Sequence, residues 1–181
     1  MTDANNCFTN QIAGSVKMTE NTFVLSNGGR IKIGEEAWET MGAGVQTDEK
    51  ARESGGVMMG RFIKDCKDLV IDKVTQPMDG DRQSRYGFKR LSPLHQEILD
   101  KEWMASKGTC NYLGEWHTHP EDDPTPSSVD INDWKRKLRK DVFSGRYLYF
   151  LIVGTEKVGL WEGDRRTLTI DKLIAEKVNQ I

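Results

Sequence analysis

The sequence predicts an α/β fold, a mixed β-sheet flanked by helices. Two observations carry this expectation. Short apolar runs bounded by glycine, asparagine and proline recur along the chain, and they alternate with two longer stretches carrying helix start and stop signals. At 181 residues, 36% hydrophobic and 30% charged, the chain is long enough to bury a real core as one domain spanning 1–181.

Taken in order, residues 1–12 form a polar lead-in without the basic and apolar regions of a secretory signal. FVLSNGGRIKI (23–33) predicts two strands around an Asn-Gly-Gly turn, because asparagine and glycine tolerate positive φ. EEAWETM (35–41) is helix-like and stops at Gly42. GGVMMGRFI and LVIDKVTQP predict a strand pair around KDCKD, followed by a polar loop or irregular strand over 78–90. In 92–108, Ser92 can cap a helix, Pro93 suits its first turn and Gly108 can end it, with Leu94, Ile98 and Met104 as the apolar stripe. CNYLGEWH (110–117) reads as a strand, PSSVDINDWKRKLRK as a helix starting near Ser127, and YLYFLIV with its successors as strands before a short helical tail.

Composition excludes some functions. A net charge of −2 gives no reason to expect nucleic-acid binding, and YLYFLIV (147–153) is too short to span a bilayer. Cys7, Cys66 and Cys110 are widely spaced and odd in number, so they form neither a disulfide framework nor a CxxC knuckle. A reduced, cytoplasmic setting follows, with Cys66 and Cys110 expected as small buried apolar residues.

Chemistry concentrates in GEWHTHPEDDPTPSSVD (114–130). On an extended strand His117 and His119 face the same way, and two imidazoles at a strand end suit a tetrahedral metal such as zinc. Pro124 and Pro126 stiffen the following turn. That turn lets Asp130, in the first turn of the next helix, supply a third ligand. A metal held this way lowers the pKa of a coordinated water towards about 7. The carboxylate that takes the water's proton is left open by spacing alone: Glu115, Glu121, Asp122, Asp123 and the more distant Glu53 are all candidates. Ser127 and Asp130 also have the spacing of a capping box, which explains both without a metal. The cations of WKRKLRK (134–140) read as a solvated helix face, and Arg85, Lys89 and Arg90 as a solvated loop unless they line a substrate groove.

HTHPEDDPTPSSVD fits the pattern H-[S/T]-H-x7-S-x2-D, and ESGGVMMG (53–60) resembles the E-[S/T]-G-G strand entry that accompanies it. Together they resemble the JAB/MPN+ (JAMM) zinc metalloproteases. The resemblance implies a single JAB domain with cytidine-deaminase-like architecture and one zinc per chain. His117, His119 and Asp130 would be ligands, Glu53 the general acid/base and Ser127 the donor to the oxyanion of the tetrahedral intermediate. It leaves His95 outside the ligand set, in a packing or hydrogen-bonding role.

FKRLSPLHQEIL followed by YLGEWHTHP is most similar to the stand-alone prokaryotic members, in particular the deconjugating peptidase of type II CBASS anti-phage operons. The implied reaction is hydrolysis of the amide or isopeptide bond after the extended C-terminal tail of a conjugated protein. That protein is a cGAS-like nucleotidyltransferase or, alternatively, a ubiquitin-like or sulfur-carrier protein, with E1- and E2-like enzymes of the same operon as implied partners. A RadC-like protein and a non-catalytic MPN scaffold are the rival readings. A cytidine deaminase is set aside, since no PCxxC pair is present.

Overall fold

The computed structural model describes residues 21–91 and 93–176. The predicted lead-in over 1–12 and the cap at Ser92 lie outside these residues. Among them, fourteen elements follow the order β1 (Thr22–Val24), β2 (Arg30–Ile33), α1 (Glu35–Gly42), β3 (Gly55–Phe62), β4 (Leu69–Val74), β5 (Arg82–Ser84), β6 (Gly87–Lys89), α2 (Leu94–Ala105), β7 (Asn111–Thr118), α3 (Ser128–Lys140), β8 (Tyr147–Val153), β9 (Val158–Asp164), β10 (Ile170–Lys172) and β11 (Ile174–Ala175).

The main sheet is mixed, with strand order β10-β9-β8-β7-β3-β4-β2-β1-β11. The pairs β2/β4 and β7/β8 are parallel and the others antiparallel. Its two outermost strands, β10 and β11, are consecutive in the chain and separated only by Leu173. The sheet therefore curls until its two ends lie one residue apart in the chain. Where a short helical tail was expected, Ile174–Ala175 instead pairs with β1; the remainder of that tail, 177–181, lies outside the described residues.

Strand β8 explains the layering. Its unbroken apolar run is buried on both faces, as a central strand requires. Tyr149, Leu151 and Val153 pack inside the curled sheet with Phe23, Ile31, Met58, Leu69 and Leu113. Leu148, Phe150 and Ile152 pack outside, under Trp134 and Leu138 of α3. Helix α2 lies on the same outer face over Val57 and Met59, presenting His95, Ile98 and Leu99. The predicted stripe of α2 is rotated: Met104 is 70% exposed, and the buried His95 takes the inward place instead. Cys110 is buried as expected but Cys66 is exposed, in the β3–β4 turn.

The polar segment 78–90 forms a small separate hairpin, β5–β6. It is tied down at its base by Asp81. That carboxylate accepts from the backbone of Met78 and Leu91 and from His95 Nε2, while His95 Nδ1 meets Thr75 Oγ1 at 2.6 Å. His95 thus has the hydrogen-bonding role anticipated for it.

Strands β3 and β7 form the floor of the site. Gly55 pairs with His117, Val57 with Glu115 and Met58 with Gly114, after which the register slips. Gly114, at φ +145°, sits at that slip and passes close to β8: a Cβ there would lie 1.7 Å from the Tyr149 carbonyl oxygen. Among the described residues no helix is long and apolar enough to cross a membrane.

Candidate metal centre

Paired residues on neighbouring strands point to the same face, so Gly55, Val57, Glu115 and His117 share one side of the sheet with Ile152, the β8 partner of His117. That side carries α3. His117 is the penultimate residue of the strand and His119 lies just beyond it, while Thr118, its last residue, turns the other way and is buried. Thr118 locks this edge: its backbone N–H donates to Ser54 O, its Oγ1 accepts from Ser54 N–H, and its hydroxyl donates to Gln46. The strand end therefore cannot turn its imidazoles away without breaking buried hydrogen bonds.

Asp130 arrives from α3. Ser127 caps the helix by accepting from the Asp130 N–H at 3.2 Å, while the Ser127 N–H and Oγ both donate to Asp130 Oδ2, at 2.7 and 2.6 Å. The capping box is complete. Helix α3 is fixed against the strand by Trp134, which stacks on Phe150 at 4.6 Å and lies 6.3 Å from the His117 ring.

The two histidine Nε2 atoms are 3.0 Å apart, and each is 3.5 Å from a carboxylate oxygen of Asp130. Glu53, buried just ahead of β3, is 4.0 Å from His119 Nε2. Glu53, His117 and His119 offer donor atoms within 4.8 Å of one another, so either carboxylate is a nominal third ligand. Distance favours Asp130. Ligand bonds of about 2.0–2.1 Å around a tetrahedral ion set neighbouring donors about 3.3 Å apart. The His117–His119–Asp130 triangle matches that spacing, and the Glu53 oxygen stands one step back. Two imidazoles and a carboxylate converging in this way fit a metal ion such as zinc.

Burial and charge prepare these groups. Burial pushes the His117 pKa down to about 4, leaving the ring neutral and able to ligate at pH 7. Burial also opposes charge on His119, but the hydrogen bond to Asp130 and the nearby Glu53 carboxylate outweigh it and raise its pKa. Asp130 resists its own burial through His119, His117 and Ser127, which hold it well below the usual carboxylate range. For Glu53 burial wins. The His119 charge pulls its pKa down and Asp130 pushes it up, but desolvation carries it from 4.5 to about 7.

The other acids have partners elsewhere. Glu115 accepts from Arg90 and Lys137; Asp122 and Asp123 hold Thr155 and Lys157. Glu121 lies 3.9 Å from His119 Nδ1, on the far side of the ring from the Nε2 atoms. Among the described residues Glu53 is the carboxylate beside the converging nitrogens that is neither part of the triangle nor paired with a lysine or arginine; its charged partner is His119, at 4.0 Å.

Sequence reasoning missed what holds Glu53. The hairpin does so: Glu53 N–H donates to Ser84 O, Gln83 Nε2 donates to Glu53 O, and the Phe88 backbone hydrogen-bonds the carboxylate. The Phe88 ring covers Gly55, where a Cβ would lie 2.4 Å from the ring. The Gly-Gly after Glu53 was the available signal, because glycine marks close approach.

A family model described as prokaryotic homologs of the JAB domain matches residues 36–169. The chain belongs to this prokaryotic JAB family. A Pseudomonas aeruginosa protein named CD-NTase/cGAS isopeptidase is 40% identical to this JAB protein over 102 residues, covering 56% of this chain and 63% of its own length. An Escherichia coli protein of the same name is 31% identical over 164 residues, covering 91% of this chain and 100% of its own. A solution structure of a protein from Desulfitobacterium hafniense shares the fold, with a TM-score of 0.54 and 22% identity over 78% of this chain and 88% of its own.

Proposed function

We propose that this JAB protein is a zinc-dependent isopeptidase. It hydrolyses the amide bond joining the C-terminal tail of a conjugated protein, a cGAS-like nucleotidyltransferase, to its target. The observation that carries the reading is the convergence of His117, His119 and Asp130 beside the buried, pKa-raised Glu53. The relatives' name supplies the substrate class.

His117, His119 and Asp130 hold the ion, which when bound supplies Lewis acidity towards the scissile carbonyl and the attacking water. Glu53 takes the proton of that water and delivers it to the leaving nitrogen. A pKa near 7 suits both halves of that task, because the group is poised between its two forms at working pH. Ser127 donates its hydroxyl to the oxyanion, giving up the bond it otherwise makes to Asp130. The tail binds extended, with alternating side chains read along a strand edge. We take 1–181 as one catalytic domain acting in the cytoplasm beside E1- and E2-like partners.

The test is to fuse candidate tails to a reporter protein and follow cleavage with zinc and with a chelator. Zinc-dependent cleavage of a nucleotidyltransferase tail, with a sulfur-carrier Gly-Gly tail left intact, is expected. The reverse preference overturns the substrate, and cleavage that survives complete chelation overturns the mechanism.

A further inference from the structure

Along the outer face of β3 and β7 the paired positions form successive rows. Gly55 with His117 makes one, and Val57 with Glu115 makes the next. Each row lies between two walls: α3 on one side, and on the other the chain that leaves hairpin β5–β6 and enters α2. The metal centre occupies the rows at Glu53, Gly55, His117 and His119. In the row below, one half-buried carboxylate joins both walls. Glu115 Oε1 accepts from Lys137 Nζ of α3 at 2.8 Å and from Arg90 Nε, just after β6, at 2.8 Å. All three side chains are largely hidden, with exposures of 7% for Lys137, 13% for Glu115 and 18% for Arg90. Lys137 also reaches Asp133 at 3.4 Å, one helical turn nearer the ligand Asp130. Beyond this row the walls part again around a cavity of about 340 Å³ lined by Arg90, Tyr112, Leu99 and Val142.

We infer that Arg90, Glu115 and Lys137 are positioning residues that set the width of the catalytic cleft, with one arm for the ligands and one for the base. Lys137 fixes the height of α3 against β7, and so the approach of Asp130 to His117. Arg90 fixes the end of the hairpin whose Ser84, Gln83 and Phe88 hold Glu53. Buried ion clusters add little net stability compared with apolar packing, because desolvation offsets their attraction. Their contribution is geometric: each charge has few places to go, so the elements carrying them have few registers. This assignment rests on the metal-site reading above.

Its test separates the arms. Lys137→Met leaves Glu115 paired with Arg90, so the cluster keeps a balanced ion pair. In zinc competition with a chromogenic chelator its Kd is expected to rise about 10–100-fold, the usual effect of losing a group that orients ligands. Lys137→Arg is expected to recover most of that loss. Arg90→Met is expected to leave the zinc Kd near the wild-type value and to lower kcat on the reporter fusion about 10–100-fold, since small misplacements of a reacting group cost that much. Unchanged zinc Kd and kcat in both variants, with only the melting temperature of the chelated protein lowered, overturns the assignment. So does loss of the same parameter by both variants. If the wild type itself binds no zinc, the metal-site reading fails first, and that result is distinct from either outcome.

Discussion

Replacing Glu53 by glutamine is expected to remove activity and to stabilise the metal-free protein at the same time. Burial lifts the Glu53 carboxyl from 4.5 to about 7 in the folded chain. Below pH 4.5 the group is protonated whether folded or not, and it behaves as glutamine would. As pH rises through the interval to 7, the unfolded chain ionises first and the native state loses stability relative to it; above 7 the loss is complete. At about 1.4 kcal/mol per pH unit that interval corresponds to roughly 3–4 kcal/mol. For a domain of this size it is a rise of about 7–14 °C in melting temperature for Glu53→Gln at pH 8, shrinking towards zero at pH 4.5. The assay is thermal unfolding of chelated wild type and variant from pH 4.5 to 8, beside cleavage of the reporter fusion, where a loss of about 10²–10⁴-fold is expected. A variant that cleaves at the wild-type rate refutes the role of Glu53. A stability difference that does not grow with pH refutes the electrostatic account.

Other substitutions probe the same framework. His119→Ala removes a proposed ligand whose nitrogen meets both His117 and Asp130, and is expected to abolish stoichiometric zinc uptake in elemental analysis. Leu138→Ala empties a fully buried position under β8, and a loss of about 2–5 kcal/mol is expected in urea unfolding. Gly55→Ala sets a methyl against the Phe88 ring and is expected to displace the hairpin. Its signature is a lower kcat with zinc affinity kept, and wild-type turnover would show that the hairpin does not govern Glu53. Ser127→Ala removes both the cap and the proposed oxyanion donor, with about 1 kcal/mol of stability and about 10²–10³ in kcat expected to be lost.

The parts of the site that were legible in the sequence are those fixed by local geometry. The alternation of a strand places His117 and His119 on one face, and a helix cap places Asp130 in a first turn; both rules operate within a few residues. The proposed base could not be chosen from spacing, which left Glu53 as one candidate among several, because Glu53 reaches the site through the pairing of β3 with β7, a contact across some sixty residues; the resemblance to JAB proteins singled it out. Lys137 was misread for a related reason. In WKRKLRK charge density suggests a solvated face, yet a helix of period 3.6 must bury some member of any such run. The one that falls one turn beyond Asp133, beside Trp134 and Leu138, is Lys137. Arg90, expected in a solvated loop, was misread because its partner Glu115 lies on a strand that follows the whole of α2.

Glu115 shows why a half-buried acid near the histidines need not be the base. It shares the face of His117 and, by sequence position, is nearer to it than Glu53. Its Oε1, however, is held by two cations and by the Tyr112 hydroxyl at 3.4 Å. Two charge-assisted bonds tie that oxygen to α3 and to the end of the hairpin, away from the job of meeting the histidine nitrogens. Glu53 is held instead by a single backbone N–H and by burial, which leaves its proton affinity high and its oxygen beside the reacting position. The division follows from what each acid is given: a lysine and an arginine turn Glu115 into a fixed anchor, while Glu53 faces only His119 and its burial prevails, which leaves it able to exchange a proton. Moving a cation next to Glu53, for instance by Phe88→Lys, is therefore expected to lower its pKa and shift the acidic limb of the kcat/KM profile to lower pH. An unmoved limb, with zinc affinity retained, would assign that limb to another group.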